Sequence, residues 1–188
     1  KFGYLLTSVL ARREGVKPVH YAALRNAGSG YPNALAIDIT ARYGPAGEVQ
    51  AYYKLGRALR TQRARELKNK VEEIFAQVVT PGMSAYEKEL ALHDYLILHC
   101  AYDNAVNADP WSYTAYGALV LGKGACQGYA EALCLLFNLA GLPSEFVRAD
   151  SVFNEGGTHG FVKVNVGGRW YCVDPTANDP IPDREGRL

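Results

Sequence analysis

The segment from Cys126 to Ala140 constrains the fold more than any other part of this sequence. A glycine-rich stretch at 122–125 precedes it, and Gly141 and Pro143 follow it, as is typical of the end of a helix. Its residues are apolar around most of a helical circumference, which leaves no face suited to water. The sequence therefore predicts a buried central helix.

After Pro143 the apolar residues recur with the period of two that is typical of strands. Three strands are predicted, at Phe146–Val152, His159–Val166 and Arg169–Asp174, and a two-glycine turn at 167–168 joins the last two. The order of elements along the chain is several helices, one central helix and then antiparallel strands. This order indicates an α+β fold, in which the central helix packs on an antiparallel sheet.

Upstream, the alternation of residues 34–43 predicts a strand, and residues 49–55 are expected to form its partner strand. A long helix with a polar face is predicted over Arg57–Val79. Ser84 is the expected N-cap of another helix, with Glu87 as its capping-box partner.

That helix is expected to run to about Cys100. His93 and Asp94 are neighbours on it and are expected to point in different directions, so no dyad is predicted there. A structural or solvated role is expected for His93.

Composition excludes several classes of protein. The 188 residues are 48% hydrophobic and 21% charged, with a net charge of +1, which is ordinary globular usage and gives no electrostatic case for a nucleic-acid or membrane-surface partner. No apolar run reaches the 18 residues of a membrane-spanning helix. The four cysteines form no C-x-x-C pair and the acidic residues no calcium loop, so neither a metal nor another cofactor is predicted.

Cys126 begins the predicted central helix, and this is a favourable place for a nucleophilic thiol. A helix N-terminus lowers the pKa of a cysteine, and the unpaired N–H groups of the first turn stabilise a developing oxyanion. Such a cysteine needs a base, and the base needs a group that orients it. The other three cysteines are expected to be small buried hydrophobes: Cys100, Cys134 and Cys172.

The strand hairpin supplies both groups. If glycines 167 and 168 form its turn, Val164 faces Tyr171, and Phe161 faces Asp174. His159 lies two residues from Phe161 on the same face, so its imidazole is expected to reach the carboxylate of Asp174. A structural histidine is the alternative on this pattern alone, because a lone histidine on a strand is more often structural than catalytic.

At these residues the sequence resembles the transglutaminase-like superfamily, and specifically its bacterial transglutaminase-core domains. The resemblance is carried by AYGALVLGKGACQGYAEALCLLFNLAGLPSEFVRAD, by THGFVKVNVGGRWYCVDPTANDP and, upstream, by MSAYEKELALHDYLILHCAYD. It implies a papain-like fold with Cys126 as nucleophile, His159 as base and Asp174 as the orienting acid. It also implies supporting places beside the active site for Tyr116 and Gln127.

The resemblance further implies a division of the chain and a cellular setting. Residues 83–188 are expected to form the transglutaminase-like core, and residues 1–82 an N-terminal extension of strand and helix. An extracytoplasmic or secreted location is implied, with a protein or a peptide, including peptides of the cell envelope, as substrate. The family usually has His-Ala-Trp where this chain has His159, Gly160 and Phe161, and its subgroup often has tryptophan at the position of Ala177.

Two functions from different classes remain open on the sequence. The first is an enzyme that forms a thioester and passes the acyl group to water, as a protease or amidase does, or to an amine, as a transglutaminase does. The second is a binding or scaffold module of a cell-envelope protein that has kept the fold and lost catalysis. The absence of a tryptophan after the histidine motif, where this chain has Phe161, favours the second, and the intact set of cysteine, histidine and aspartate favours the first.

Overall fold

The computed structural model of the chain describes residues 44–104, 109–150 and 158–179. The helices are α1 (Gly44–Leu55), α2 (Gln62–Val78), α3 (Ala85–His99) and α4 (Cys126–Leu139), and the strands are β1 (Ala101–Tyr102), β2 (Lys123–Gly124), β3 (Ser144–Asp150), β4 (Thr158–Val166) and β5 (Arg169–Val173). A 3₁₀ turn at Pro110–Tyr113 and a π-helical turn at Gly117–Leu121 lie between β1 and β2.

The strand predicted at residues 49–55 is wrong, because the structure forms α1 there. Pro45 falls in the first turn of the helix, where its missing N–H costs nothing. Ala46 and Val49, three residues apart, are both buried against the core. This helical spacing outweighs the preference of valine and tyrosine for strands. The strand predicted at residues 34–43 lies outside the described residues.

Helix α2 begins five residues later than predicted. The side chain of Glu48, on α1, accepts hydrogen bonds from the backbone N–H groups of Arg60 and Thr61 at 2.7 and 3.1 Å. These bonds tie the connection to α1, and the side chain of Thr61 then caps α2 by accepting from the N–H of Ala64. The start of α2 is therefore set by a contact between helices.

The start of α3 is as predicted. The N–H of Glu87 donates to the Oγ of Ser84 at 3.2 Å, and the N–H of Ser84 donates to the Oε2 of Glu87 at 2.7 Å, which completes the capping box. Helix α3 ends at His99, with Cys100 as its C-cap.

Helix α4 lies at the centre of the core, which confirms the prediction of a buried central helix. Its side chains Tyr129, Leu133, Leu136 and Phe137 are completely buried. The sheet contacts α4, as do α1 and α3. The observed architecture is α+β, with an antiparallel sheet packed on the central helix.

The sheet has the order β3-β4-β5, and both of its pairings are antiparallel. The predicted register of the hairpin is confirmed, since Val164 faces Tyr171 and Val166 faces Arg169 across the turn. The prediction that Cys172 is buried is wrong. Strand β5 lies at the edge of the sheet, and the Cys172 side chain is exposed there.

The helices upstream of residue 83 share the core of the rest of the chain. Val49 of α1 and Leu67 of α2 lie in the same apolar cluster as Leu133 and Phe137 of α4. The division of the chain between residues 82 and 83 stays a prediction. None of the helices that the structure describes is long and apolar enough to cross a membrane.

Candidate active site

Cys126 is the first residue of α4, and its side chain is half-buried with a free thiol. The N-cap residue, Ala125, is extended and has no side-chain cap to offer. The first turn of α4 therefore keeps N–H groups available for an anion at the end of the helix where the dipole is positive.

The 3₁₀ turn at Pro110–Tyr113 fixes the start of α4. The N–H of Ala125 donates to the carbonyl of Ser112 at 2.7 Å. A Cβ atom at Gly128 would lie 2.2 Å from the same carbonyl oxygen, so only glycine allows this close approach. The position of Cys126 is thus set by backbone contacts on both sides of it.

His159 on β4 and Asp174, directly after β5, meet at 2.7 Å between Nε2 and Oδ2. Both side chains are about one third exposed, at 27% and 33%. A carboxylate at Nε2 favours the tautomer with its proton on Nε2, which leaves the Nδ1 lone pair to accept a proton. The hairpin therefore holds an imidazole in a form suited to a general base.

Thr176 completes the surroundings of the Asp174 carboxylate. Its hydroxyl donates to Oδ1 at 2.6 Å, and its own N–H donates to the same oxygen at 3.2 Å. Burial raises the pKa of Asp174, but the hydrogen bonds from Thr176 and His159 outweigh burial and hold the pKa below its ordinary value. Asp174 is thus kept as the anion that orients His159.

Gly160 brings β4 against the first turn of α4. A Cβ atom at Gly160 would lie 3.2 Å from the Cα of Gln127 and equally close to the ring of Phe146. The strand that carries His159 therefore contacts the helix at the residue next to Cys126. This contact places the cysteine and the His159–Asp174 pair on the same part of the molecular surface.

The two supporting residues expected from the sequence lie differently. Gln127 is in the first turn of α4, at the contact with Gly160. Tyr116 is buried, and its hydroxyl donates to Glu66 of α2 at 2.6 Å, while its ring packs edge-on against Trp111. The structure thus brings Gln127 to the site, and the contacts of Tyr116 are with α2 and with the 3₁₀ turn that packs on α4.

Two residues near the site, Thr176 and Tyr102, were not predicted from the sequence. Thr176 could have been found from Asp174-Pro-Thr, because an aspartate side chain often accepts a hydrogen bond from the backbone N–H two residues on, as it does here. Tyr102 lies just after Cys100, where the predicted helix ends, and opposite Gly124 in the pairing of β1 with β2. No local pattern identifies it, because β1 is two residues long and pairs with a strand more than 20 positions away.

The expectation that His93 and Asp94 do not meet is wrong. His93 Nδ1 lies 3.0 Å from Asp94 Oδ1, because the imidazole reaches around the helix to its neighbour. The opposite ring nitrogen lies 3.1 Å from the amide of Asn178, in the segment that follows Asp174. This buried imidazole therefore ties that segment to α3.

The described residues contain no group of three or more His, Cys, Asp or Glu side chains placed to hold a metal ion. The described site offers a thiol at a helix N-terminus, an imidazole with a free lone pair and an oriented carboxylate.

Comparison with known proteins supports the same fold. The family model of the transglutaminase-like superfamily matches residues 72–175, which is more than half of the chain. This range contains the cysteine, the histidine and the aspartate described above. A search of curated proteins found no significant match.

Three solved structures to which the chain is similar are of low sequence identity to it. The chain is 19% identical to the protein in a crystal structure of a TGase, with a TM-score of 0.50. The match includes 80% of this chain and 42% of the TGase chain. The chain is 16% identical to a "putative cysteine protease" from Cytophaga hutchinsonii, where 63% of this chain covers 43% of that chain with a TM-score of 0.47. It is 20% identical to the periplasmic domain of TgpA from Pseudomonas aeruginosa, where 74% of this chain covers 50% of that chain with a TM-score of 0.39. The chain thus spans half or less of each, and at these identities only the fold is compared.

Proposed function

Because the chain belongs to the transglutaminase-like superfamily, we propose that it is a thiol-dependent acyl-transfer enzyme with Cys126 as nucleophile, His159 as base and Asp174 as orienting acid. One observation carries the proposal. The imidazole of His159 is held by Asp174 through Nε2, on a strand that contacts the helix turn opened by Cys126.

The proposed reaction begins when Nδ1 of His159 takes the thiol proton of Cys126. The sulfur attacks the carbonyl carbon of a peptide or carboxamide, and the carbonyl π electrons move to oxygen. When the tetrahedral intermediate collapses, the carbon–nitrogen bond breaks, and the amine leaves with the proton that His159 returns. The product is a thioester on Cys126.

Two acceptors are open for the second half of the reaction. Water gives a protease or amidase, and a primary amine gives a transglutaminase. The cysteine, histidine and aspartate serve both reactions equally, because His159 activates either acceptor in the same way. A protein or peptide substrate, including peptides of the cell envelope, and an extracytoplasmic location belong to this proposal and rest on the family resemblance.

Asp174 and Thr176 have a positioning role in this scheme. The carboxylate stabilises the imidazolium that forms during attack, and Thr176 keeps the carboxylate turned toward His159. Tyr116 is proposed to act at a distance, by holding the 3₁₀ turn against α2. Gln127 is proposed to line the cleft beside the nucleophile.

The alternative is a binding or scaffold module that keeps this fold without catalysis. Gly160 and Phe161, in place of the Ala-Trp pair that the family usually has, favour it, because the change lies directly beside His159. The hydrogen bond between His159 and Asp174 opposes it, since a site without turnover gains nothing from an oriented base.

The proposal is tested by single-turnover acylation with p-nitrophenyl acetate, followed by mass spectrometry of the protein. We expect the acetyl group on Cys126, no acylation at that position in Cys126→Ala, and a loss of at least about 100-fold in His159→Ala and Asp174→Asn. Cys172→Ala is the control with an exposed thiol and keeps the full rate. If the wild type and Cys126→Ala took up the same amount of acetyl group, Cys126 would not be the acylated residue, and the result would favour the binding module instead.

A further inference from the structure

Tyr102 lies beside the nucleophile through the short parallel pairing of β1 with β2. The pairing sets Tyr102 opposite Gly124, two residues before Cys126. The N–H of Asp103 donates to the carbonyl of Gly124 at 2.8 Å and fixes this register. The ring of Tyr102 is tilted against that of Tyr129, with 6.1 Å between centroids. The backbone and the ring are therefore both held in place.

The hydroxyl of Tyr102 lies close to the backbone of the nucleophile, two residues beyond the Gly124 that Tyr102 pairs with. The backbone N–H of Cys126 is near enough to the phenolic oxygen to lower the pKa of Tyr102. This N–H belongs to the first turn of α4, where an oxyanion formed by attack of the Cys126 sulfur would be stabilised. The phenol thus lies beside the place that the substrate's carbonyl oxygen is expected to take.

The phenol keeps its proton at neutral pH. Burial is the largest cause and raises the pKa of Tyr102, and the nearby carboxylate of Asp174 raises it further, against the lowering effect of the Cys126 N–H. A hydroxyl that accepts one hydrogen bond still has its own proton to donate. Tyr102 is therefore a donor, held within reach of the reacting atoms.

We infer that the hydroxyl of Tyr102 donates a hydrogen bond to the substrate's carbonyl oxygen during attack by Cys126, as an oxyanion donor beside the backbone N–H of Cys126. This inference rests on the proposed acyl-transfer function. The carbonyl oxygen accepts a hydrogen bond from the N–H of Cys126, and the phenol turns its O–H toward the same oxygen. Tyr102 keeps its proton throughout, and the leaving group receives its proton from His159.

Two reagents separate this role from a structural one. Acylation by p-nitrophenyl acetate passes through a tetrahedral oxyanion, in which a sulfur–carbon bond forms and the carbon–oxygen bond to nitrophenolate then breaks. Alkylation by iodoacetamide displaces iodide directly from a saturated carbon and forms no oxyanion. An oxyanion donor therefore accelerates the first reaction of Cys126 and leaves the second unaffected.

The experiment measures both rates at Cys126 in Tyr102→Phe, with the neighbouring and more exposed Tyr113→Phe as the matched control. We expect acylation of Tyr102→Phe to fall by about 10- to 100-fold, with alkylation within about twofold of the wild type, and both rates to be retained in Tyr113→Phe. Far-UV circular dichroism and the retained alkylation rate report that the variant is folded.

Three outcomes overturn the inference. An unchanged acylation rate in Tyr102→Phe means that the phenol does not assist the oxyanion. A parallel fall of acylation and alkylation means that Tyr102 only positions the start of α4. A wild-type protein that is alkylated at Cys126 but never acylated there contradicts the proposed function itself. This outcome is seen in the wild type alone, so it is distinguished from an effect of the Tyr102→Phe substitution.

Discussion

At the scale of single residues, Glu131 is the carboxylate of α4 that the proposed reaction does not use. Its Oε2 accepts a hydrogen bond from the N–H of Ala115, in the segment that leads away from the 3₁₀ turn. Burial raises the pKa of Glu131 to about 7, and the bond from Ala115 offsets only part of the effect. The folded state thus binds a proton here more tightly than the unfolded chain.

This raised pKa predicts a loss of stability with increasing pH. Between the ordinary pKa of a glutamate and about 7 the folded state holds more protons than the unfolded state, so the free energy of unfolding falls as the pH rises through that window. The fall is about 3.5 kcal/mol at most, at about 1.4 kcal/mol for each of the 2.5 pKa units between 4.5 and 7.

Glu131→Gln tests this prediction, because the amide keeps an acceptor for the N–H of Ala115 and carries no charge. We expect the variant to be more stable than the wild type at pH 8, with a much smaller difference at pH 4.5, in urea unfolding followed by fluorescence. Glu145→Gln, at an exposed position on β3, is the control. A difference between Glu131→Gln and the wild type that is equal at both pH values would contradict the account.

The sequence was sufficient to predict the pairing of His159 with Asp174, because a two-residue glycine turn sets the register and the register sets which side chains share a face. It was insufficient for Tyr102, whose place depends on the pairing of two distant two-residue strands. Such short strands carry no periodicity from which a register can be inferred.

At the scale of elements, the position of the α4 N-terminus depends on two glycines that allow close backbone approach. Gly128 contacts the carbonyl of Ser112, and Gly160 contacts Gln127. These contacts fix the turn that opens with Cys126 between the 3₁₀ turn on one side and β4 on the other.

Gly128→Ala is predicted to be strongly destabilising, although alanine is the better helix former by about 1 kcal/mol. The new Cβ would lie 2.2 Å from the carbonyl oxygen of Ser112, and the backbone there cannot yield without losing its bond to the N–H of Ala125. We expect a net loss of more than about 2 kcal/mol in the free energy of unfolding, measured with urea.

Gly160→Ala is the matched comparison, because its Cβ would lie 3.2 Å from its nearest neighbours and a shift of a few tenths of an ångström relieves the contact. We expect a smaller loss there than in Gly128→Ala. A Gly128→Ala variant as stable as the wild type would show that the 3₁₀ turn does not pack on α4 as described.

The elements that the sequence predicted well are those whose pattern reflects local chemistry. Ser84 and Glu87 mark the start of α3, and the apolar run after Cys126 marks α4. Helix α1 was mistaken for a strand because the burial of Val49 depends on packing against the core, which the local pattern does not contain.

At the scale of the whole molecule, the fold brings together residues that lie far apart in the sequence. Cys126 lies at the start of α4, His159 on β4 and Asp174 directly after β5. Helix α3 is tied to the segment after Asp174 through His93 and Asn178. Fold class and central helix could be predicted from the sequence, whereas these ties between elements could not, because each depends on the packed geometry of the whole chain.

The central claim is that Cys126 and His159 form a reactive pair, and the chain contains its own control. Cys172 is exposed and Cys126 is half-buried, so accessibility alone predicts that Cys172 reacts first with iodoacetamide. At pH 6 an ordinary thiol is almost fully protonated and reacts slowly, whereas a cysteine paired with an imidazole does not.

The most direct measurement is therefore the order in which these two cysteines are alkylated at pH 6, followed by peptide mass spectrometry in the wild type and in His159→Ala. The account predicts that Cys126 reacts at least about tenfold faster than Cys172 in the wild type, and that His159→Ala reverses the order. Faster modification of Cys172 in the wild type, with no change in the variant, would contradict it.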